Sequence, residues 1–374
     1  MKLASLYLHF PFCETKCHYC DFYSIGRERT AEGDAPLFER ALRSEIELQG
    51  HRLAPHLDTI FMGGGTPSMT PPDSMARTLE PLWTFTSVTP ETEWTMEANP
   101  SSVDEERLRQ YRALGVNRIS MGVQALRDDL LLRLGRVHSR DKALQALESI
   151  FAAGMTNVSV DLLCGVPGQS VEDVERAIEE LTRFPITHLS CYLLTLPKSH
   201  RMHRELPDED GQLEHLLAID RLMQAKGFDH YEISNFARRS ADQDYRARHN
   251  LNYWKRQGYL GLGPSAHSFD PSQGSHGARW KNISALHRYA EVRPPVEWTE
   301  ELTEKEARLE DWMLALRLSD GFPGGWLEKP EQRQKARLLE KEGLLEPHPQ
   351  LSGRLRLTAR GFAVSDQVIA ALAS

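Results

Sequence analysis

Three thiols at the amino end are the first feature of this chain that could do chemistry. Cys13, Cys17 and Cys20 stand at C-x3-C-x2-C spacing in Cys13-Glu14-Thr15-Lys16-Cys17-His18-Tyr19-Cys20, just after the apolar run Leu6-Tyr7-Leu8-His9-Phe10. A loop leaving a strand can bend three such thiolates around one corner of an iron–sulfur cube. The cube has four irons, so one keeps an open position where it can react. A structural zinc site is the alternative. Zinc takes four ligands, usually in paired Cys/His sets. The nearby fourth donor is His18, which lies between two of the cysteines and would strain the loop.

The elements that would position this loop are legible as alternating patterns. Strand-like runs are Leu6–Phe10, Thr59–Met62, Trp94–Glu97, Arg118–Gly122, Val158–Leu163 and His188–Leu194. Stretches of helical period lie between them: Leu37–Gln49, Asp73–Trp83, Asp104–Ala113, Arg140–Ala153 and Val171–Phe184. Thr70, Ser102 and Ser170 sit near helix starts, and Gly115 and Gly154 follow helix ends. Strand and helix repeated in this way predict an α/β chain with a parallel sheet. The architecture is then a partial or full β/α barrel, with a doubly wound open sheet as the competitor.

In a barrel the chemistry gathers where strands end. Gly63-Gly64-Gly65-Thr66-Pro67 follows the second run, Glu97 ends the third, Gln124 follows the fourth and Asp161 lies in the fifth. Arg136 stands in Leu134-Gly135-Arg136-Val137-His138. Singly these are weak signals: a triple glycine can be only a turn, and no Lys-Ser/Thr follows to make a P-loop. Jointly they are two carboxylates, an amide and an arginine around a three-cysteine loop. Carboxylates can accept from a ribose diol, and an arginine can hold a carboxylate.

Composition bounds the setting. With 374 residues, 40% hydrophobic and 26% charged, the chain suits a soluble protein of two or three domains. No run has the length of a transmembrane helix. Five cysteines, an odd and sparse set, argue against a disulfide framework and for a reducing compartment, and a net charge of −8 gives no support to nucleic-acid binding. A cytoplasmic location is expected. Cys164 and Cys191 lie in apolar runs and read as buried structural thiols.

The three cysteines, with Tyr19 before the last and Gly63–Pro67 downstream, resemble the radical S-adenosylmethionine (SAM) family. Glu97-Ala98-Asn99-Pro100, Gly122-Val123-Gln124, Leu134-Gly135-Arg136 and Asp161-Leu162 resemble one branch of it. That branch holds the oxygen-independent coproporphyrinogen III oxidases and the HemW-type heme chaperones. The resemblance implies a partial (β/α)6 TIM-type barrel carrying a [4Fe-4S] cluster on Cys13, Cys17 and Cys20. It also implies SAM bound at the open iron, with Tyr7, Tyr19, Gly64, Gly65, Thr66, Glu97, Gln124, Arg136 and Asp161 lining the cofactor site.

Two departures favour the chaperone side. Phe22 stands where the oxidases carry a further cysteine, and Cys13 comes after a shorter leader than theirs. Both count against coproporphyrinogen oxidation, which stays as the alternative activity together with other radical chemistry on a porphyrin. The segment His249-Asn250-Leu251-Asn252-Tyr253-Trp254 resembles the heme-associated His-Asn-x-x-Tyr-Trp motif, which implies heme as a cofactor and His249 as its ligand. His267, after a Gly-rich return toward the barrel mouth, is a second candidate. Acceptor hemoproteins are the implied partners, with peripheral contact to membrane hemoproteins and a homodimer as further expectations.

The expected domains are a barrel over residues 1–240, a connecting segment over 241–294 and a C-terminal domain over 295–374. In the last, helices Thr303–Leu318, Glu331–Glu342 and Arg360–Ala371 and a hairpin of Leu344–Glu346 with Arg354–Leu357 resemble a winged-helix-like α+β domain. Its acidic and basic residues are interspersed, without the basic stripe of a nucleic-acid reader.

Overall fold

Strand β1 (Ser5–Phe10) opens the chain in a computed structural model that describes residues 2–373. Met1 and Ser374, the outer ends of the first and last expected domains, lie outside the described residues. Strands β2 (Thr59–Gly64), β3 (Glu93–Ala98), β4 (Arg118–Gln124), β5 (Asn157–Cys164) and β6 (His188–Leu193) follow, each at a run predicted as a strand. The chain divides into two compact units, and the division falls within β5.

The first unit comprises Met1–Asp161, Arg248–Asn252 and Gln257–Leu302. Its sheet runs in sequence order β1, β2, β3, β4 and then β5, with parallel pairing from β1 to β4. Consecutive residues of a strand point to opposite faces. One face carries Leu6, Leu8, Ile60, Met62, Met96, Ile119, Met121, Val158 and Val160, all buried. The other carries Ser5, Tyr7, Thr59, Phe61, Glu93, Thr95, Glu97, Arg118, Ser120 and Asp161. The apolar face supplies the core, and the polar face is available for chemistry. Ser5 pairs with Thr59 and Thr59 with Glu93, so these three residues form a row across the strand starts.

The Gly-rich return holds a strand that the sequence reading did not anticipate. Strand Leu260–Leu262 adds to the free edge of β1 in parallel, with Tyr7 opposite Gly261. A side chain at Gly261 would place its Cβ 1.9 Å from the His267 carbonyl oxygen, so the segment turns tightly behind the strand. Buried Glu45 secures that turn. Its carboxylate accepts from Gly263 N at 2.8 Å, Asn282 Nδ2 at 2.6 Å and the Tyr289 hydroxyl at 2.5 Å. Burial pushes the Glu45 carboxyl up to about 7 against these bonds.

Helix ends follow local rules. Asp104 and Ser139 accept from the third helical N–H of Glu105–Leu114 and Arg140–Ala152, and Gly115 takes φ 114° after the first of them. A short helix at Asp128–Arg133 was not foreseen.

The second unit comprises Leu162–Ala247, Tyr253–Arg256 and Thr303–Ser374. There the end of β5 is followed in the sheet by β6 and then by an antiparallel pair, Asn235–Arg238 and Phe228–Glu232. Ser170 caps helix Val171–Leu181, and Cys164 and Cys191 are buried. Helices Glu304–Ala315 and Pro330–Lys341 pack with a small sheet around Trp312, Leu316, Phe322, Leu345, Leu357 and Leu372. That sheet has a third strand, Phe322–Pro323, beside the anticipated hairpin. The last helix is broken into Ala359–Ala363 and Ser365–Leu372, because Val364 leaves helical angles at φ −121° and ψ 28°. Among the described residues no helix is long and apolar enough to cross a membrane.

Candidate functional site

The cysteine loop leaves the C-terminal end of β1 and is tied down on three sides within the first unit. Phe12–Cys13 pairs in parallel with Ile25–Gly26 and closes its base. His18 N donates to the Leu134 carbonyl at 3.1 Å, which fastens the loop's far side to the segment after β4. At β2, Gly65 N donates to Phe10 O at 2.7 Å and Thr66 N to Phe12 O at 2.8 Å. A Cβ at Gly65 would sit 2.7 Å from both of those carbonyl oxygens, so only glycine lets β2 approach the loop this closely.

That approach brings donors to the sulfurs. Thr66 Oγ1 donates to Cys13 Sγ at 3.6 Å, and Arg136 Nη1 donates to Cys17 Sγ at 3.4 Å. Arg136 Nη2 donates to Asn99 Oδ1 at 2.6 Å and Gly122 O at 2.8 Å, while Asn99 Nδ2 donates to Thr66 Oγ1 at 2.8 Å. Arg136 Nε is a buried donor with no hydrogen-bond partner among the described residues. Burial raises the Cys13 and Cys20 thiols above their ordinary range, with Thr66 opposing it at Cys13. Tyr19 is also pushed up by burial, against the pull of the Arg136 charge.

The carboxylates stand on the polar face of the sheet. Glu97 Oε2 accepts from Gly64 N at 3.2 Å, and Ser120 Oγ donates to both Asp161 oxygens at 3.2 Å. Burial first, and then the Asp161 charge, push the Glu97 carboxyl up to about 8. Tyr7 donates or accepts at His9 Nδ1, 3.1 Å away, stacks on Phe61, and is raised well above its usual range by burial and by Glu97. Gln124 ends β4 at φ 68°, a left-handed angle rare outside glycine. Backbone strain of this kind collects where a site over-determines it. Every candidate cluster and SAM-site residue thus stands in the first unit, on the cysteine loop, at Tyr7 within β1, or on and after β2 to β5.

His249 is placed elsewhere. It lies in helix Arg248–Trp254, is 1% exposed, and its Nδ1 sits 2.8 Å from Thr59 Oγ1 at the start of β2. Arg248 N and His249 N donate to the two oxygens of Glu93, at 3.1 and 3.0 Å, and Asn252 Nδ2 donates to Ser5 Oγ at 2.6 Å. A carboxylate therefore caps the helix start and a row of strand-start side chains receives it. Burial lowers the imidazole to about 3, so it is neutral at physiological pH. The strand start and the glycine end of β2 are separated by roughly 16 Å at the rise of a parallel strand. His249 and the cysteine loop accordingly belong to opposite ends of the sheet. Tyr253 and Trp254 fall in the second unit, where the Arg317 guanidinium lies 5.5 Å from the Trp254 ring. His267 is exposed, with its ring 6.0 Å from that of Trp298.

The residues present suit a cluster and a charged nucleotide. Three half-buried sulfurs share one loop, donors reach two of them, one of those donors is the Arg136 cation, and Glu97 and Asp161 stand on the polar face of the sheet that the loop leaves. Among the described residues no three His, Cys, Asp or Glu side chains converge as single-ion ligands do. Asn99, Ser120, Phe61 and Glu93 were not singled out from sequence. Asn99 stood inside a quoted motif, and the others betray themselves only as polar or aromatic positions alternating with the core.

Residues 7–181 match the Radical SAM superfamily. The "Heme chaperone HemW" of Mycobacterium tuberculosis is 34% identical over 379 residues, covering 98% of this chain and 94% of that protein. The protein of the same name from Bacillus subtilis is 33% identical over 335 residues, covering 85% and 84%. Among solved structures, the coproporphyrinogen III oxidase HemN of Escherichia coli superposes with a TM-score of 0.81 at 22% identity, covering 100% of this chain and 90% of that one. This likeness gives the fold: a radical SAM partial β/α barrel with a smaller C-terminal domain. With such identity along nearly the whole of both chains, this protein belongs to the HemW family, within the radical SAM superfamily.

Proposed function

We propose that the chain is a heme-binding chaperone that passes heme to acceptor hemoproteins in the cytoplasm. The observation that carries this reading is the match to chains named heme chaperone along 94% of their length. The family implies a [4Fe-4S] cluster and SAM. Cys13, Cys17 and Cys20 would hold the cluster, which supplies one-electron chemistry at its open iron when bound. Tyr7, Tyr19, Gly64, Gly65, Thr66, Glu97, Gln124, Arg136 and Asp161 would orient the sulfonium nucleotide beside it. Arg136 brings a fixed cation, and the two carboxylates bring acceptors for hydroxyl or ammonium groups.

His249 is our proposed iron ligand, with a condition set by its burial. Heme iron reaches the ring only when the start of helix Arg248–Trp254 has left the Ser5–Thr59–Glu93 row. The test is anaerobic purification, assay of iron and sulfide, and titration with heme. A saturable Soret change that His249→Ala abolishes is expected. Absence of that change in the wild-type protein, or its persistence in the variant with His267→Ala abolishing it instead, would move or remove the site. The alternative activity, oxidation of coproporphyrinogen III, requires substrate-dependent decarboxylation with reductant and SAM. We expect none, in keeping with Phe22 at the position of the oxidases' further cysteine.

A further inference from the structure

Asn99 has no role in the assignments above, yet its side chain joins the two groups that reach the loop sulfurs. Its Nδ2 donates to Thr66 Oγ1 at 2.8 Å, and its Oδ1 accepts from Arg136 Nη2 at 2.6 Å. Thr66 donates in turn to Cys13 Sγ and Arg136 to Cys17 Sγ. The orientation of the amide is forced, because a guanidinium has no acceptor. The amide oxygen must face Arg136 and the NH2 must face Thr66. The Thr66 hydroxyl then accepts from Asn99 and has its single proton left for Cys13.

Asn99 is itself held firmly. Its N–H donates to Ser102 Oγ at 3.2 Å, and that hydroxyl donates to the Asn99 carbonyl at 2.8 Å. The space beside it is kept open by Gly122, where a Cβ would lie 3.3 Å from Asn99 Oδ1 and 2.9 Å from Gln124 Nε2.

We propose that Asn99 is a positioning residue that aligns one donor on each of two cluster sulfurs and so raises the cluster's reduction potential. This rests on the reading that Cys13, Cys17 and Cys20 hold a [4Fe-4S] cluster. Hydrogen bonds to cluster sulfurs help set its potential, since they stabilise the more negative, reduced form. Aspartate would not serve. It could still accept from Arg136, but the Thr66 hydroxyl would turn to donate to the new carboxylate and leave Cys13. The added negative charge would oppose the incoming electron as well.

The test uses the full chain, reconstituted anaerobically, as wild type, Asn99→Ala, Asn99→Asp, Thr66→Val and Asn99→Ala/Thr66→Val. Iron and sulfide are counted first. The cluster is then poised against a viologen dye, which supplies the one electron, and the reduced fraction is read by electron paramagnetic resonance. Both Asn99 variants are expected to retain the cluster. Each should lower the ratio of reduced to oxidised cluster about tenfold at fixed dye potential, which is 59 mV for a one-electron couple. The double variant should fall short of the sum of its singles, because Asn99 acts partly through Thr66. An unchanged ratio and spectrum in Asn99→Asp, or full additivity in the double variant, overturns the proposal. Should Asn99→Ala fail to fold, Asn99→Asp carries the test, since it keeps the size and the Arg136 contact. A wild-type protein without iron and sulfide defeats the underlying cluster assignment instead.

Discussion

His249 Nδ1 and Thr59 Oγ1 lie 2.8 Å apart at the start of β2, although 190 residues separate them in sequence. The imidazole also stacks on Phe61 with ring centroids 5.2 Å apart. Helix Arg248–Trp254 is thus anchored on a row of strand-start side chains, at the end of the sheet away from the cysteine loop.

A buried, hydrogen-bonded and stacked ring should matter for stability whatever its part in heme binding. His249→Ala is expected to cost roughly 2–4 kcal/mol through the cavity and the lost hydrogen bond to Thr59. Urea unfolding of the cluster-free protein measures it, and a loss within 0.5 kcal/mol would show the anchor to be idle.

Opening of this anchor makes a separate kinetic prediction. Weakening the closed arrangement by about 1 kcal/mol raises the open population, and with it the apparent heme affinity, about fivefold. Thr59→Val should therefore tighten heme binding and speed the Soret change in stopped flow. Weaker or slower binding in Thr59→Val would contradict a ligand hidden beneath the helix.

Gly65 sets how closely β2 can approach the cysteine loop. The Cβ of Gly65→Ala would meet the Phe10 and Phe12 carbonyl oxygens at 2.7 Å, and the backbone has to retreat. We expect a destabilisation of roughly 2 kcal/mol or more and a reconstituted iron content well below the wild-type value. Full iron loading with an unchanged melting temperature would refute this.

Glu97, raised to about 8, is neutral at pH 7 in the free protein. A cationic nucleotide binds its ionised form better. Affinity for SAM should then rise about tenfold per pH unit between pH 6 and 7.5, with a proton released on binding. Isothermal titration in buffers of different ionisation enthalpy reads both quantities. Glu97→Gln should flatten the slope, and an equally steep slope in that variant would assign the proton to another group.

Glu45 ties pH to folding. Its carboxyl titrates near 7 in the folded chain and in the ordinary carboxylate range when unfolded, so the native state binds the extra proton between those values. Stability from this group is full below about pH 4.3 and falls as pH rises toward 7, by roughly 4 kcal/mol in all. Glu45→Gln should remove that fall. Urea midpoints from pH 5 to 8 measure it, and identical profiles for the two proteins would place the linkage elsewhere.

Much of this was legible in residue order, because the signals are local. Apolar runs alternating with stretches of helical period marked β1 to β6, Ser170 marked a helix start, and the spacing of Cys13, Cys17 and Cys20 marked a loop that could grip a cluster. The polar exits of those strands followed once the strands were placed, since a parallel sheet brings its C-terminal ends together. What joins them was not legible. Asn99 meets Thr66 and Arg136 across 33 and 37 residues, through an amide orientation that only the folded neighbours impose. The fate of His249 was likewise decided by tertiary structure. A histidine in a polar-looking helix carries no local sign of which end of a sheet it will meet, and burial against Thr59, Phe61 and Glu93 comes from contacts more than 150 residues distant. Short-range patterns settle the elements and the donor types. Long-range packing settles which donors face one another, because that depends on the register of strands far apart in the chain.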